Sequence, residues 1–468
     1  MRHQAAIETV WRQEAAKVIA GVARLVRDVG LAEDYAQDAL VAALEHWPRT
    51  GVPDNPGAWL MTTAKHRALD RLRQDALHAR KHEALAHDMD ALGTGVEPDF
   101  VDALDAARQD DIGDDLLRLI FIACHPVLSR DARVALTLRL LCGLATDEIA
   151  RAFLVPEPTI AQRIVRAKRT LSKAGVPFEV PPAHLRAERL ESVLEVIYLV
   201  FNEGYAATAG DDWMRPALCR EAIRLGRLLA GLAPEESEVH GLVALMELQA
   251  SRLPARVDER GAPVLLADQD RGRWDAELVR GGLASLARAE ALAARGAASP
   301  GEDGHRGEDG QGSQGSQGSQ GGQGCQGGEG GLGGVDGRLG PYALQAALAA
   351  CHARAATAAD TDWPRMVSLY DALMQRAPSP VVALNRAVAV GMARGPAAAL
   401  PLVEALDGDP ALRGYPWLPS VRGDLLARLG QRHQARAAFE QAAAMTRNAR
   451  DRDMLLARAR ALEEDAGD

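Results

Sequence analysis

The chain has 468 residues, 47% of them apolar and 25% charged, with a formal net charge of −10. That length and composition are enough to bury sizeable cores in about two to four domains, which excludes a wholly disordered chain. The charge at first argues against a nucleic-acid binder.

The charge is local. Residues 83–115 hold eleven carboxylates and one basic residue, Arg108, so this window accounts for the whole excess. Basic residues gather on both sides of it: six Lys or Arg against two Asp in residues 62–82, and five against one Glu in residues 157–173. Overall charge therefore does not exclude DNA binding, although an Arg-rich solvated face reads the same way. No stretch reaches the roughly 18 to 20 uncharged apolar residues of a membrane span, and the N-terminus has no signal-peptide core, so the expectation is a cytoplasmic protein without a membrane partner. Cys124, Cys142, Cys219, Cys325 and Cys351 stand singly with no C-x-x-C pair, which argues against a disulfide framework or zinc knuckle. They read as reduced packing thiols.

Helix formers dominate, aromatics are 4%, and period-two β-branched runs are nearly absent, so the fold is expected to be all-α. The first informative element is LAEDYAQDALVAALEHW, residues 31–47. Ala36, Leu40, Ala43, Leu44 and Trp47 form its apolar stripe and leave Asp34, Gln37, Asp38 and Glu45 outward, a face suited to docking on a protein. A Pro- and Gly-punctuated loop from Trp47 follows. Asn55 then caps a helix with Pro56 at its first position, and Lys65, His66, Arg67, Arg71 and Arg73 lie along that helix.

Beyond the acidic window, LATDEIARAFLVPEPTIAQRIVRAKRTL (residues 144–171) contains two helical patterns joined by a turn. Thr146 is the expected N-cap of the first. In the second, Ile160, Ile164, Ala167 and Leu171 recur on one side while Thr159, Gln162, Arg163, Arg166 and Arg169 project together on the other. Such side chains reach base edges and phosphates from a major-groove helix. A generic helical hairpin fits the same pattern.

The FNEGY stretch, with Asn202, Glu203 and Tyr205, is either a buried structural cluster, a polar contact with the preceding hairpin or a small-ligand site. Residues 299–341 are Gly-rich and cannot bury enough apolar surface to offset ordering entropy, so they are expected to form a flexible tether. Gly423, Gly430, Ala435, Phe439 and Ala442 have the spacing of a tetratricopeptide-like helix pair, with a weaker copy in residues 378–406.

Three of these pieces, in this order, resemble the extracytoplasmic-function group of sigma-70 type transcription initiation factors. AEDYAQDALVAALEHW resembles the clamp-binding helix of region 2, and NPGAWLMTTAKHRALDRLRQ the following helix that reads and opens the minus-ten element. LSRDARVALTLRLLCGLATDEIARAFLVPEPTIAQRIVRAKRTL is similar to region 4, whose helix-turn-helix reads the minus-thirty-five element. RLESVLEVIYLVFNEGYAATAGDDW resembles the middle segment of a subgroup with a large C-terminal helical extension. Pro156-Glu157-Pro158 departs from the Ser or small residue that usually starts the recognition helix.

The resemblance implies core RNA polymerase and promoter DNA as partners. Asp34, Gln37 and Asp38 would face the polymerase clamp, Lys65, Arg67, Arg71 and Arg73 would follow the promoter near the minus-ten element, and the loop from Trp47 to Asn55 would receive an extruded base. Trp47 and Trp59 read equally as stacking platforms or as packing residues. The expected domains are region 2 (1–82), an acidic linker (83–113), region 4 (114–175), a helical middle part (176–298), the tether (299–341) and a tetratricopeptide-like part (342–468). The extension would regulate the factor through a protein or ligand partner. No cofactor and no reaction of its own are expected, since the chain shows no H-E-x-x-H, phosphate loop or nucleophile elbow. The alternative is a helix-turn-helix regulator with a sensing domain.

Overall fold

The computed structural model describes residues 2–86, 108–153, 155–206, 214–259, 263–296, 338–446 and 449–464. Among the described residues there are eighteen α-helices, and the sole β pairing is an isolated bridge between Val257 and Pro263. The all-α expectation holds. The chain divides into two compact units, the first ending at Pro234 and the second beginning at Glu235, so the division falls inside the middle part expected over residues 176–298.

In the first unit α1 (Arg2–Val26), α2 (Val29–Thr50) and α3 (Pro56–Ala86) pack on one another. Asp28 caps α2 by accepting the Leu31 amide at 2.9 Å, and Asn55 caps α3 by accepting the Ala58 amide at 3.1 Å, as its sequence predicts. Two details of α2 differ from expectation. Its buried stripe is Ala32, Ala36, Ala39, Ala43 and Trp47, whereas Leu44 is 41% exposed. The helix also runs through Pro48 to Thr50, so the loop begins at Gly51 rather than Trp47. Pro48 removes only one N–H from the last turn. The end is closed by Thr50 Oγ1 donating to the His46 carbonyl and the Gly51 amide donating to Trp47 O, with Gly51 at φ +86°.

Next come α4 (Arg108–Ala123), α5 (Arg130–Leu140), α6 (Thr146–Phe153) and α7 (Glu157–Lys173). Helices α3 and α4 thus enter the expected linker from both ends, and the rest of that linker lies outside the described residues. Thr146 is the first residue of α6 rather than its cap. Ala145 takes the cap position, and Glu148 reaches back to accept the Ala145 amide at 2.8 Å, which satisfies one orphan donor without a hydroxyl. In α7 the buried residues are Ile160, Ile164, Ala167 and Leu171, as the periodicity predicts.

The unit closes with α8 (Ala183–Tyr205) and α9 (Pro216–Leu232), which pack together. FNEGY joins them. Glu203 pairs with Arg215, Phe201 stacks on Tyr205 at 5.6 Å, and a Cβ at Gly204 would sit 2.7 Å from the Cys219 backbone nitrogen. Asn202 is exposed. Among the described thiols Cys124, Cys142, Cys219 and Cys351 are free and buried, and burial pushes Cys124 up to about 11, so it stays protonated. Cys325 lies outside the described residues.

In the second unit α10 (Ser237–Ala250) packs against both α11 (Ala276–Gly296) and α12 (Pro341–Arg354). Glu238 caps the start of α12 by accepting the Tyr342 and Ala343 amides at 2.8 and 3.1 Å. Apart from Arg338 to Pro341, where Leu339 is fully buried and Pro341 opens α12, the expected tether lies outside the described residues. Six further helices follow: α13 (Trp363–Arg376), α14 (Pro380–Arg394), α15 (Pro396–Glu404), α16 (Trp417–Arg428), α17 (Arg432–Met445) and α18 (Ala449–Glu464). From α13 to α17 each packs on the next.

Helices α16 and α17 pack through the small residues and the Phe that the sequence singles out. Ala435, Phe439 and Ala442 are buried, Gly430 turns the chain at φ +76°, and Gly423 lets the Phe439 ring approach. A Cβ at Gly423 would lie 2.9 Å from Phe439 Cε1. Gly423→Ala should therefore destabilise the second unit by roughly 1 kcal/mol, because overpacking against a ring at the core outweighs the helix-propensity gain of about 1 kcal/mol. A melting temperature at or above wild type in differential scanning calorimetry contradicts this.

Candidate nucleic-acid and polymerase interface

Because one side of α2 is consumed by packing, its opposite side is a defined surface. Leu31, Asp34, Asp38, Val41 and Glu45 follow one another at helical spacings of three and four and are all exposed, Leu31 by 48% and Val41 by 49%. The sequence reading found the carboxylates here but missed the two apolar residues interspersed with them. Gln37 is set apart, half-buried and donating to Glu33 Oε1.

Along α3, Lys65 and Arg67 are half-buried while Arg71 and Arg73 are exposed. The Arg67 guanidinium is turned to α2, where it donates to Asp38 O at 2.8 Å and lies 3.5 Å from Asp38 Oδ2. Arg73 lies 3.7 Å from Asp70 on its own helix. Between the two helices the short loop opens a cavity of about 340 Å³ lined by His46, Trp47, Thr50, Gly51, Val52, Pro53 and Trp59. Trp47 is 1% exposed and belongs to the core. Trp59 meets it edge to face, with ring centroids 5.3 Å apart, and forms the cavity wall.

On α7 the unburied side presents Thr159, Gln162, Arg166 and Arg169, all exposed. Arg163 lies at the edge of that side and is drawn back to Asp131 on α5 at 3.2 Å, leaving its side chain 27% exposed. Lys168 points elsewhere. Its ammonium pairs with Glu33 Oε2 at 2.6 Å, and Arg139 Nε reaches Glu33 Oε1 at 2.6 Å, so two cations from the hairpin domain converge on one buried carboxylate of α2. Glu33 is 3% exposed. Sequence reasoning missed this cluster; its only local signal is an acid at the edge of the Ala stripe.

Comparison with known proteins agrees with this layout. Residues 10–77 match the model of sigma-70 region 2, residues 118–171 that of sigma-70, region 4, and residues 189–290 a family of unknown function, DUF6596. "Uncharacterized protein R00370" of Rhizobium meliloti (strain 1021) is 42% identical over 427 residues, 91% of this chain and 88% of that protein. "Probable ECF RNA polymerase sigma factor SigI" of Mycobacterium tuberculosis (strain ATCC 25618 / H37Rv) is 26% identical over 182 residues, 38% of this chain and 59% of that protein. "ECF RNA polymerase sigma factor SigC" of Mycobacterium tuberculosis (strain CDC 1551 / Oshkosh) is 27% identical over 153 residues, 33% of this chain and 75% of that protein. No solved structure matches.

Regions 2 and 4 on one chain, with an exposed acidic and apolar helix on the first and a helix-turn-helix in the second, define a transcription initiation factor of the sigma-70 type. The chain belongs to the extracytoplasmic-function RNA polymerase sigma factors, in a form that carries a C-terminal helical extension of the DUF6596 type.

Proposed function

We propose that the chain docks on the clamp of core RNA polymerase through the Leu31–Asp34–Asp38–Val41–Glu45 face of α2, and that this mixture of apolar and acidic exposed residues carries the reading. A face of that kind supplies both desolvated area and charge steering to a basic partner. Lys65, Arg71 and Arg73 on α3 then follow promoter phosphates near the minus-ten element, while Arg67 holds α3 to the docking helix. The cavity beside Trp59 accepts a base flipped from the non-template strand, which offsets part of the cost of unstacking it. Helix α7 enters the major groove of the minus-thirty-five element with Thr159, Gln162, Arg166 and Arg169 toward the DNA, and Arg163, anchored to Asp131, sets the tilt of the helix. The factor acts in the cytoplasm, assigns no chemistry to itself, and is regulated through its extension, whose successive helix pairs present a tetratricopeptide-like stack to a partner.

Multi-round transcription with purified core polymerase tests the whole reading. RNA made from a cognate promoter only when this chain is added supports it; repression of a preformed holoenzyme, with no initiation, favours the helix-turn-helix regulator instead. Within that assay Trp59→Ala should reduce melting about fivefold, since the ring contributes roughly 1 kcal/mol of stacking at the low end for an aromatic wall. Binding to intact duplex should be unchanged. Permanganate reactivity of unpaired thymines reports the difference, and equal reactivity with wild type removes Trp59 from the base pocket.

A further inference from the structure

Within the second unit the loop between α10 and α11 gathers polar side chains that none of the roles above uses. Trp274, at the end of the loop, is 8% exposed, and its indole Nε1 is buried with no acceptor. Two guanidiniums lie over that ring, Arg271 at 5.0 Å from the centroid and Arg252 at 5.7 Å. Arg271 is fully anchored: it donates to the carbonyls of His352 and Ala355, the latter at 3.0 Å, and to Thr361 Oγ1 at 3.5 Å. Arg252 is held only through Nε, which donates to Gln269 Oε1 at 3.2 Å, while Gln269 is itself buried and fixed to Val264 O. Its two terminal nitrogens are uncommitted.

Neither arginine makes an ion pair with a carboxylate among the described residues, and the two like charges share one indole, with the charge of Asp360 acting on Arg271 from further off. Cation–π attraction covers only part of the cost of that arrangement. His352 adds a second orphan. Its ring packs edge-on against Trp363 at 5.4 Å, and its Nδ1 is buried without a partner. Burial, followed by the charges of Arg252 and Arg271, pushes the His352 pKa down to about 4, so the imidazole is neutral and can donate from Nδ1. The group therefore offers donors from two elements, the Arg252 fork and the Trp274 indole of the loop and the His352 imidazole of α12, and none of the three is hydrogen-bonded to a carboxylate among the described residues.

We propose that this group binds the phosphate moiety of a small molecule, with Arg252 as the clamp and Trp274 Nε1 as the fixed donor. A tetrahedral oxyanion accepts from several directions at once, whereas a planar carboxylate is satisfied by one guanidinium fork. The site gives the extension a ligand and so deepens the regulatory reading. Binding is measured without polymerase or DNA, so its failure leaves the initiation reading untouched.

The test is a titration of inorganic phosphate into the full chain at constant ionic strength, followed by calorimetry and by melting temperature, with acetate as the parallel arm. Saturable phosphate binding is expected. Arg252→Gln should weaken it at least tenfold and leave the phosphate-free melting temperature within a degree or so of wild type, since the head group makes one hydrogen bond. Trp274→Phe keeps an aromatic face under the guanidiniums, removes Nε1 and should weaken binding severalfold; it decides alone if Arg252→Gln lowers the phosphate-free melting temperature. The proposal is overturned by no saturable response at about 10 mM phosphate, tenfold above the millimolar Kd expected of a small anion. It is equally overturned by wild-type affinity in the deciding variants, or by acetate binding as tightly as phosphate.

Discussion

Asp34→Arg/Asp38→Arg should abolish co-purification with core RNA polymerase, a loss of at least a hundredfold in affinity. Both carboxylates lie on the exposed face of α2, with side chains 69% and 56% exposed. Reversal removes two attractive charges and adds two repulsive ones at the proposed contact, and like-charge juxtaposition across an interface costs several kcal/mol. Folding should survive. Asp34 lies 3.6 Å from Lys168 and Asp38 lies 3.5 Å from Arg67, but both distances are long and both carboxylates mostly exposed, so these pairs are worth little to stability. The buried acceptor of Lys168 and Arg139 is Glu33, which the variant keeps. An unchanged melting temperature together with lost binding supports the docking face. Wild-type affinity for core in the double variant moves the docking site off this helix. Salt should mimic the reversal in part, because charge steering is screened over a Debye length of about 8 Å at physiological ionic strength.

What could be read from the sequence is what depends on near neighbours. The buried stripe of α7 and the Asn55 cap of α3 follow from spacing and local hydrogen bonding, and both stand where the sequence puts them. The helix pair α16–α17 was legible for the same reason: a small residue at Gly423 and a large one at Phe439 are complementary only when two helices cross there. Local rules also failed locally. Thr146 looks like a cap, but Glu148 satisfies the orphan amide of Ala145, so the helix starts one residue early in its chemistry and Thr146 becomes its first turn. Pro48 looks like a helix stop, yet a helix loses only one bond to a proline when its final turn is closed by a hydroxyl and a glycine. Leu44 looks like core because leucine usually is; here alanines fill the seam between α1, α2 and α3, and the larger side chain is displaced to the surface.

The candidate site was legible as residue types and not as pairings. Arg163, Arg166 and Arg169 are equivalent in the sequence, but only the fold distinguishes them, by placing Asp131 of α5 within 3.2 Å of Arg163. The convergence of Arg139 and Lys168 on Glu33 joins residues more than a hundred positions apart, and no periodicity carries that information. The polar group around Trp274 likewise depends on the loop before α11 meeting the end of α12, two segments with the Gly-rich stretch between them.

That distinction among the arginines sets the expected behaviour of the recognition helix. Arg166 is exposed, without an ion-pair partner among the described residues, and lies between Gln162 and Arg169 on the side of α7 opposite its buried stripe. Replacing it with Ala should cost about 1 to 3 kcal/mol on the cognate minus-thirty-five element and flatten the preference at one or two base positions. Arg163→Ala should behave differently. Its guanidinium is already committed to Asp131, so its loss loosens the seating of α7 on α5 and weakens every promoter sequence by a similar factor, without changing their order. Lys173, at the last turn, should also act evenly, and its loss should reduce the salt slope by about 0.9 as one phosphate contact is removed. Binding across a panel of single-base promoter variants, measured at two salt concentrations, separates the three. If Arg166→Ala lowers all affinities equally while Arg163→Ala reorders them, the base-reading role belongs to the arginine held by Asp131, and that ion pair must break on the promoter.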